Sequence, residues 1–242
     1  LSWFKGLSQE QQNALLVYAS VPGYNTLVPK SLVSPNAEEI TLSASTRLGT
    51  RGSLRFDFVD RKYKDFYSNV INTGTGQSQP DPYGNVYDML WLENTDNLTR
   101  KYQGFNISGE YRVHDRLTLG GNYTYSTLKG NFAGETGGSG PGAASTETYP
   151  EYKAFPQYNP EGYLQADQRH RVRVFAVWDL INTKHNRLSA SLMESYFSGL
   201  SYGAFGNILI RPYVTNPGYL SPPRTVSYYF TNRAAYRTDN IT

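Results

Sequence analysis

The feature that most constrains this chain is a period-two alternation of apolar and polar residues, repeated in long blocks joined by connections of two very different sizes. A period of two belongs to strands with one apolar and one polar face. From Leu117 to Ser126, Leu117, Leu119, Tyr123 and Tyr125 take one side, and Thr118, Asn122, Thr124 and Ser126 the other. From Ile40 to Leu48, Ile40, Leu42, Ala44 and Leu48 stand against Thr41, Ser43, Ser45 and Arg47. The same pattern covers Leu54, Phe56 and Phe58; Phe105, Ile107 and Tyr111; Val172 to Leu180; and Leu188 to Tyr196, making six strands.

Residues paired across an antiparallel ladder point to the same face, so the turns test the strand assignments. Closing Thr50, Arg51 and Gly52 by pairing Gly49 with Ser53 sets Leu48 opposite Leu54 and Thr46 opposite Phe56. Closing His114 to Arg116 by pairing Val113 with Leu117 sets Tyr111 opposite Leu119, and pairing Leu180 with Leu188 sets Trp178 opposite Ala190. These consistent faces predict an antiparallel meander. Its connections alternate between short turns (Thr50 to Gly52, His114 to Arg116, Ile181 to Arg187) and long polar segments (Thr73 to Asn85, Gly130 to Asp167, Ser198 to Arg224). In a meander alternate connections share an end, so all the long ones lie together, as in outer-membrane barrels with short periplasmic turns and long extracellular loops. The parity requires Tyr87 to Val113 to be one crossing, without a hairpin at Asn94 to Asn97. A seventh crossing is expected around Val226 to Arg237. Seven is odd, whereas bacterial barrels are even-stranded and closed, so the expectation is an incomplete part of a larger barrel. Residues 1–37 read as an extracellular loop whose short helix is opened by a capping box of Ser8 and Gln11, and 38–242 as strands and loops.

Composition agrees with an oil–water boundary. Hydrophobic residues make up 38% and mean hydropathy is -0.55, yet there are 21 Tyr, 11 Phe and 3 Trp, and tyrosine joins an apolar ring to a polar tip. No apolar run is long enough for a membrane-spanning helix. The net charge of +3 comes from scattered basic residues, which gives nucleic-acid binding no support. There is no cysteine for disulfides or thiolate sites, and the sequence opens at Leu1 without a signal-peptide pattern.

A soluble sandwich also alternates, so the polar face has to discriminate. It carries chiefly Ser, Thr, Asn and Gly, and none of the lysines. Its sparse charges, Arg47, Arg55, Asp57, Glu110, Arg112, Arg171, Arg173 and Asp179, are the lumen-facing candidates, to pair with one another in the wall or to meet a plug or solute. Tyr111, Tyr123, Tyr125, Trp178 and Tyr196 on the apolar face suit a membrane-interface girdle.

Chemical motifs are weak. Gly199 to Gly203 matches G-x-S-x-G around Ser201, but a proline-rich stretch without helical period follows where a nucleophile elbow needs a helix. His114, His170 and His185 have no metal-ligand spacing, and Glu93, Asp96 and Asn97 lack an EF-hand pattern, although they offer part of a loop calcium site. No residue is assigned to catalysis, a cofactor or a metal.

The stretch Arg100 to Asn131 (RKYQGFNISGEYRVHDRLTLGGNYTYSTLKGN), with Ala166 to Leu180 (ADQRHRVRVFAVWDL) and Phe230 to Asn240 (FTNRAAYRTDN), resembles barrel segments of TonB-dependent outer-membrane transporters, particularly the branch with a carboxypeptidase-regulatory-like N-terminal domain. That resemblance implies a barrel of about 22 strands, occluded by a plug and opened for solute uptake by the TonB complex of the inner membrane. A TonB box, a plug and a terminal aromatic strand have no counterpart between Leu1 and Thr242, which fits truncation at both ends. The expectation is therefore an all-β, antiparallel meander of about seven long strands from a transporter in the bacterial outer membrane. Lipid lies on one face, an extracellular solute or peptide meets the long loops, and the TonB complex is engaged through the missing plug. The alternatives are a structural or adhesive outer-membrane protein and a secreted β-sandwich that binds carbohydrate.

Overall fold

In the computed structural model, which describes residues 5–8, 10–12, 23–133, 144–230, 236–237 and 240–241, each alternating block becomes a long strand hydrogen-bonded to the next block in the chain. In chain order the strands are β1 (Thr26–Leu27), β2 (Asn36–Leu48), β3 (Gly52–Lys64), β4 (Phe66–Val70), β5 (Leu90–Thr95), β6 (Arg100–His114), β7 (Leu117–Gly130), β8 (Gly162–Tyr163), β9 (His170–Asn182) and β10 (Arg187–Phe197). The short strands β11 (Ser201–Tyr202), β12 (Phe205–Leu209), β13 (Thr225–Tyr229), β14 (Tyr236–Arg237) and β15 (Asn240–Ile241) follow. The main sheet is antiparallel and open, in the order β15, β10, β9, β7, β6, β3, β2.

Sequential pairing fixes the faces. Ala44, Phe56, Ile107, Tyr123, Val172 and Tyr196 form one continuous cross-strand row, apolar throughout. The expected pairs Tyr111 with Leu119 and Trp178 with Ala190 are present. Next to these two turns the register slips, so that His114 rather than Val113 meets Leu117, and Ile181 rather than Leu180 meets Leu188. Such bulges add local right-handed twist. The first hairpin differs by two residues: Leu48 pairs with Gly52 and Thr46 with Leu54, so the turn is Gly49 to Arg51. Gly49 takes φ +61°, a left-handed conformation that favours glycine and so places the turn there.

Tyr87 to Val113 is one crossing. β5 pairs with β4 while β6 pairs with β3, so the two halves run alongside their counterparts and not against each other. The matching break in the neighbouring crossing is Asp65 at φ 58°, where Asn36 donates to its carboxylate and Asn94 to its carbonyl. The seventh crossing is displaced from its expected position. Thr225–Tyr229 instead forms a hairpin with Phe205–Leu209 outside the main sheet; among the described residues β15 extends the main sheet beside β10, and β14 pairs separately with β11. The sequence TVSYY alternates equally well in either role, so pattern alone could not choose.

Packing is concentrated at the end of the sheet that carries the long connections. Ile71, Tyr152, Ile210, Tyr219 and Val226 form a buried cluster, with Tyr149, Phe155 and Tyr158 against it. Tyr149 meets Tyr219 edge-on, ring centroids 4.7 Å apart. Among the described residues the apolar face of the sheet away from that end has no such core: Leu42, Trp178 and Leu192 are 64%, 55% and 71% exposed. At the chain start Ser8 and Gln11 exchange both reciprocal bonds of the capping box; residues 13–19 of the expected helix lie outside the described residues.

Gly109 and Gly121 face each other on the apolar side of β6 and β7. A methyl group on Gly121 meets the carbonyl oxygen of Arg173 in the next strand, which is backbone and cannot swing aside. Gly121→Ala is expected to cost about 1–3 kcal/mol through this overpacking, read as a lower thermal midpoint of the folded protein. An unchanged midpoint would show that the strands separate freely here.

Candidate functional site

The sheet and its long connections present two candidate surfaces. The first is the polar face. Cross-strand rows place Ser43, Asp57, Asn106, Thr124 and Arg171 together, then Ser45, Arg55, Ser108, Asn122, Arg173 and Ser195, then Arg47, Ser53, Glu110 and Gly120. Arg112 and Asp179 continue the same face, opposite Thr118 and Ser189 respectively. All eight charged candidates thus share one side, while Tyr111, Tyr123, Tyr125, Trp178 and Tyr196 share the other.

Some of these charges are neutralised within the sheet. The Arg55 guanidinium donates to both Asp57 oxygens at 2.8 and 3.0 Å, and the Ser43 hydroxyl donates to Asp57 at 2.6 Å. Asp179 accepts from Ser189 at 2.6 Å and lies 3.7 Å from Arg187. The Arg173 guanidinium sits 5.6 Å from the Phe197 ring centroid. Arg47, Glu110, Arg112 and Arg171 form no ion pair among the described residues, so they remain available to an ionic or polar partner. Exposed pairs of this kind contribute little stability, which leaves reach and charge as their main attributes.

The second surface is the cap built by the long connections, and its centre is Asp88. This carboxylate is 6% exposed and accepts the Tyr149 hydroxyl at 3.0 Å and the backbone N–H groups of Leu220 and Ser221 at 3.1 and 3.2 Å. One side chain therefore fastens all three long connections together. Burial, and then the hydrogen bond to Asp88, push the Tyr149 phenol above its ordinary range, so it stays a donor. Tyr219 is likewise pushed up by burial and by its bond to Glu151 at 2.8 Å.

Asp167 closes the junction of β7 with the third long connection. It is 1% exposed; one oxygen accepts the Leu128 N–H at 2.5 Å, and the other lies 3.5 Å from the Ser201 hydroxyl and 3.7 Å from Arg169. Ser201 is itself 1% exposed, and it stands in a two-residue strand followed by another strand, without the strand-to-helix turn of a nucleophile elbow. The ring of His170 is engaged by Tyr123, whose hydroxyl is 2.9 Å from Nδ1. Among the described residues no three His, Asp or Glu side chains converge on a point where a metal could sit, and Asn97 of the Glu93, Asp96 and Asn97 group instead donates to Glu147. A hollow of about 160 Å³ opens on the cap, lined by Tyr163, Gln165, Tyr202, Phe205 and Tyr229.

Neither the protein-family models, the curated proteins nor the solved structures gave a match to this chain.

Asp88 and Asp167 went unread in the sequence. Asp88 precedes an apolar run like many loop carboxylates, and its partners lie as far as 133 positions away. Asp81 had a local signal, an acidic residue four positions before Asn85 in a Pro- and Gly-rich turn.

Two predictions follow from these carboxylates. Asp88→Ala removes the acceptor of the Leu220 and Ser221 amides and of the Tyr149 hydroxyl, at about 1–3 kcal/mol for each group that finds no water. Limited proteolysis is then expected to cut 198–224 faster while the strands stay protected; equal cleavage rates would remove Asp88 as the fastening point. At Asp81, burial raises the carboxyl pKa. Hydrogen bonds from the backbone and side chain of Asn85, the Tyr83 amide and the Tyr87 hydroxyl outweigh this and hold it below its ordinary range. The stabilisation of this turn is therefore fully present above the ordinary carboxyl value of about 3.9 and is lost as the pH falls through the lower folded value. Hydrogen exchange in 81–87 should accelerate relative to the strands only below that point, and Asp81→Ala should abolish the transition.

Proposed function

We propose that this chain forms wall and long-loop cap of an outer-membrane β-barrel transporter of the TonB-dependent kind, with the apolar face toward lipid, the polar face toward the lumen and the cap toward an extracellular solute. The observation that carries the reading is a broad apolar face that no described residue covers. A sheet several strands wide with Leu42, Trp178 and Leu192 mostly exposed is untenable in water, where contiguous exposed apolar patches are small. A soluble sandwich meets that demand with a second sheet packed about 10 Å away, and the smaller sheets here gather with the long connections instead. Lipid meets it without any further protein. In this setting Arg47, Glu110, Arg112 and Arg171 stand where a plug or a passing solute would contact them, and the aromatic hollow of the cap offers a first contact outside. Energy coupling would come from the TonB complex acting on a plug domain beyond this segment.

The test is made on the full-length protein in its own cells. It is expected in the outer-membrane fraction, with a folded form that migrates differently on unheated and heated gels, and uptake of its solute is expected to stop when the TonB complex is deleted. Recovery in the soluble fraction would overturn the reading. An outer-membrane protein whose loss left solute uptake unchanged would favour the adhesive alternative.

A further inference from the structure

The lysines avoid the polar face, and the register explains where several of them go. Lys62 pairs directly with Lys101, and Lys101 with Lys129. The three side chains therefore stand side by side on adjacent strands, on the same face as Phe58, Phe105 and Tyr125. Glu38 begins this row on β2 and Tyr163 ends it on β8. Like charges directly opposite one another on a sheet repel, so three in succession call for an anion.

Nearby carboxylates supply only part of it. Glu38 is ion-paired with Lys64, one row further out, and Asp60 lies 3.2 Å from Lys101 and accepts from Gln103. Asp167 is shared with Arg169 and the Leu128 amide, and Glu161 accepts from Thr99. Lys62 and Lys129 form no ion pair among the described residues; the Lys129 ammonium lies 4.8 Å from the Tyr163 ring centroid. The Arg169 guanidinium lies 4.5 Å from the same ring centroid and 5.7 Å from that of Tyr125, adding a further cation nearby.

The height of this row on the sheet selects the anion. At about 3.4 Å per residue and a tilt of about 40°, the strand from Val113 to Lys101 rises about 31 Å. An outer-membrane apolar band is about 25 Å tall, so the ammonium groups lie just beyond it, at headgroup level on the long-loop side. Lysine is suited to that position because its stem stays on apolar surface while its charge reaches the polar layer.

We propose that Lys62, Lys101 and Lys129, flanked by Tyr163 and Arg169, bind the phosphate of a phosphorylated lipid headgroup in the leaflet on the long-loop side. This rests on the barrel reading above. Each lysine near an anionic surface is worth about fivefold in affinity, reduced at Lys101 by its bond to Asp60.

The experiment uses the full-length protein, reconstituted in phosphatidylcholine vesicles and then extracted in mild detergent with an equal mixture of phosphatidic acid and phosphatidylcholine. Lipid retained on the protein is weighed by native mass spectrometry. The expected result is preferential retention of phosphatidic acid, falling at least tenfold in the triple variant Lys62→Gln, Lys101→Gln, Lys129→Gln and unchanged in Lys184→Gln at a short turn. Heat-dependent gel mobility establishes that the triple variant is folded; if it is not, the three single variants are measured, each expected to lose a smaller share of the preference. Undiminished preference in the folded variants would overturn the proposal. So would displacement of phosphatidic acid by inorganic phosphate at equal concentration, which would make the row a simple anion site. Failure of the unaltered protein to enter phosphatidylcholine vesicles at all would instead strike the barrel reading, so the two failures are distinguishable.

Discussion

Everything in this structure depends on an antiparallel ladder in which each long strand pairs with the next one in the chain. That ladder forces side chains into two sets, and a slip by a single residue would exchange them. It also leaves the sheet one layer thick. A single layer cannot bury its own apolar side, so the fold depends on something outside the sheet to cover it. The long connections take the opposite course: they bury Ile71, Tyr152, Ile210, Tyr219 and Val226 among themselves and behave like a small globular unit.

The sequence made the strands and faces legible because a period of two tolerates error. The first hairpin closes at Gly49 to Arg51 instead of one turn position later, a two-residue difference that returns every side chain to the face already assigned. The slips beside Val113 and Ser189 fall at the turns, after the faces have been set by the strands behind them. The single crossing from Tyr87 to Val113 was legible for a topological reason, since a hairpin there would have put a long connection among the short turns. Phe205–Leu209 with Thr225–Tyr229 was not legible, because a short alternating segment carries no mark of which strand it will join.

The cap was the least legible region. Its organising bonds run from a side chain to backbone amides, and a backbone amide leaves no trace in the identity of its residue. Leu220 and Ser221 reach Asp88 by virtue of where the chain passes, while only Tyr149 among the partners contributes a recognisable donor side chain. The polar face stands between these cases. Its residues were readable one by one, but the closed pair of Arg55 with Asp57 and the open positions of Arg47, Glu110, Arg112 and Arg171 emerge only once neighbouring strands are aligned.

The fastening at Asp88 has a consequence for how such a cap can diversify. A loop assembly can alter its surface residues without losing its arrangement only if the positions that hold it together are kept apart from the rest, much as an antibody keeps framework and hypervariable positions apart. Here the framework is a carboxylate, one phenol and two amides drawn from separate connections. The two amides accept almost any side chain at positions 220 and 221, so identity there is free to drift. Asp88 and Tyr149 are the fixed points that hold the connections together while the residues between them change.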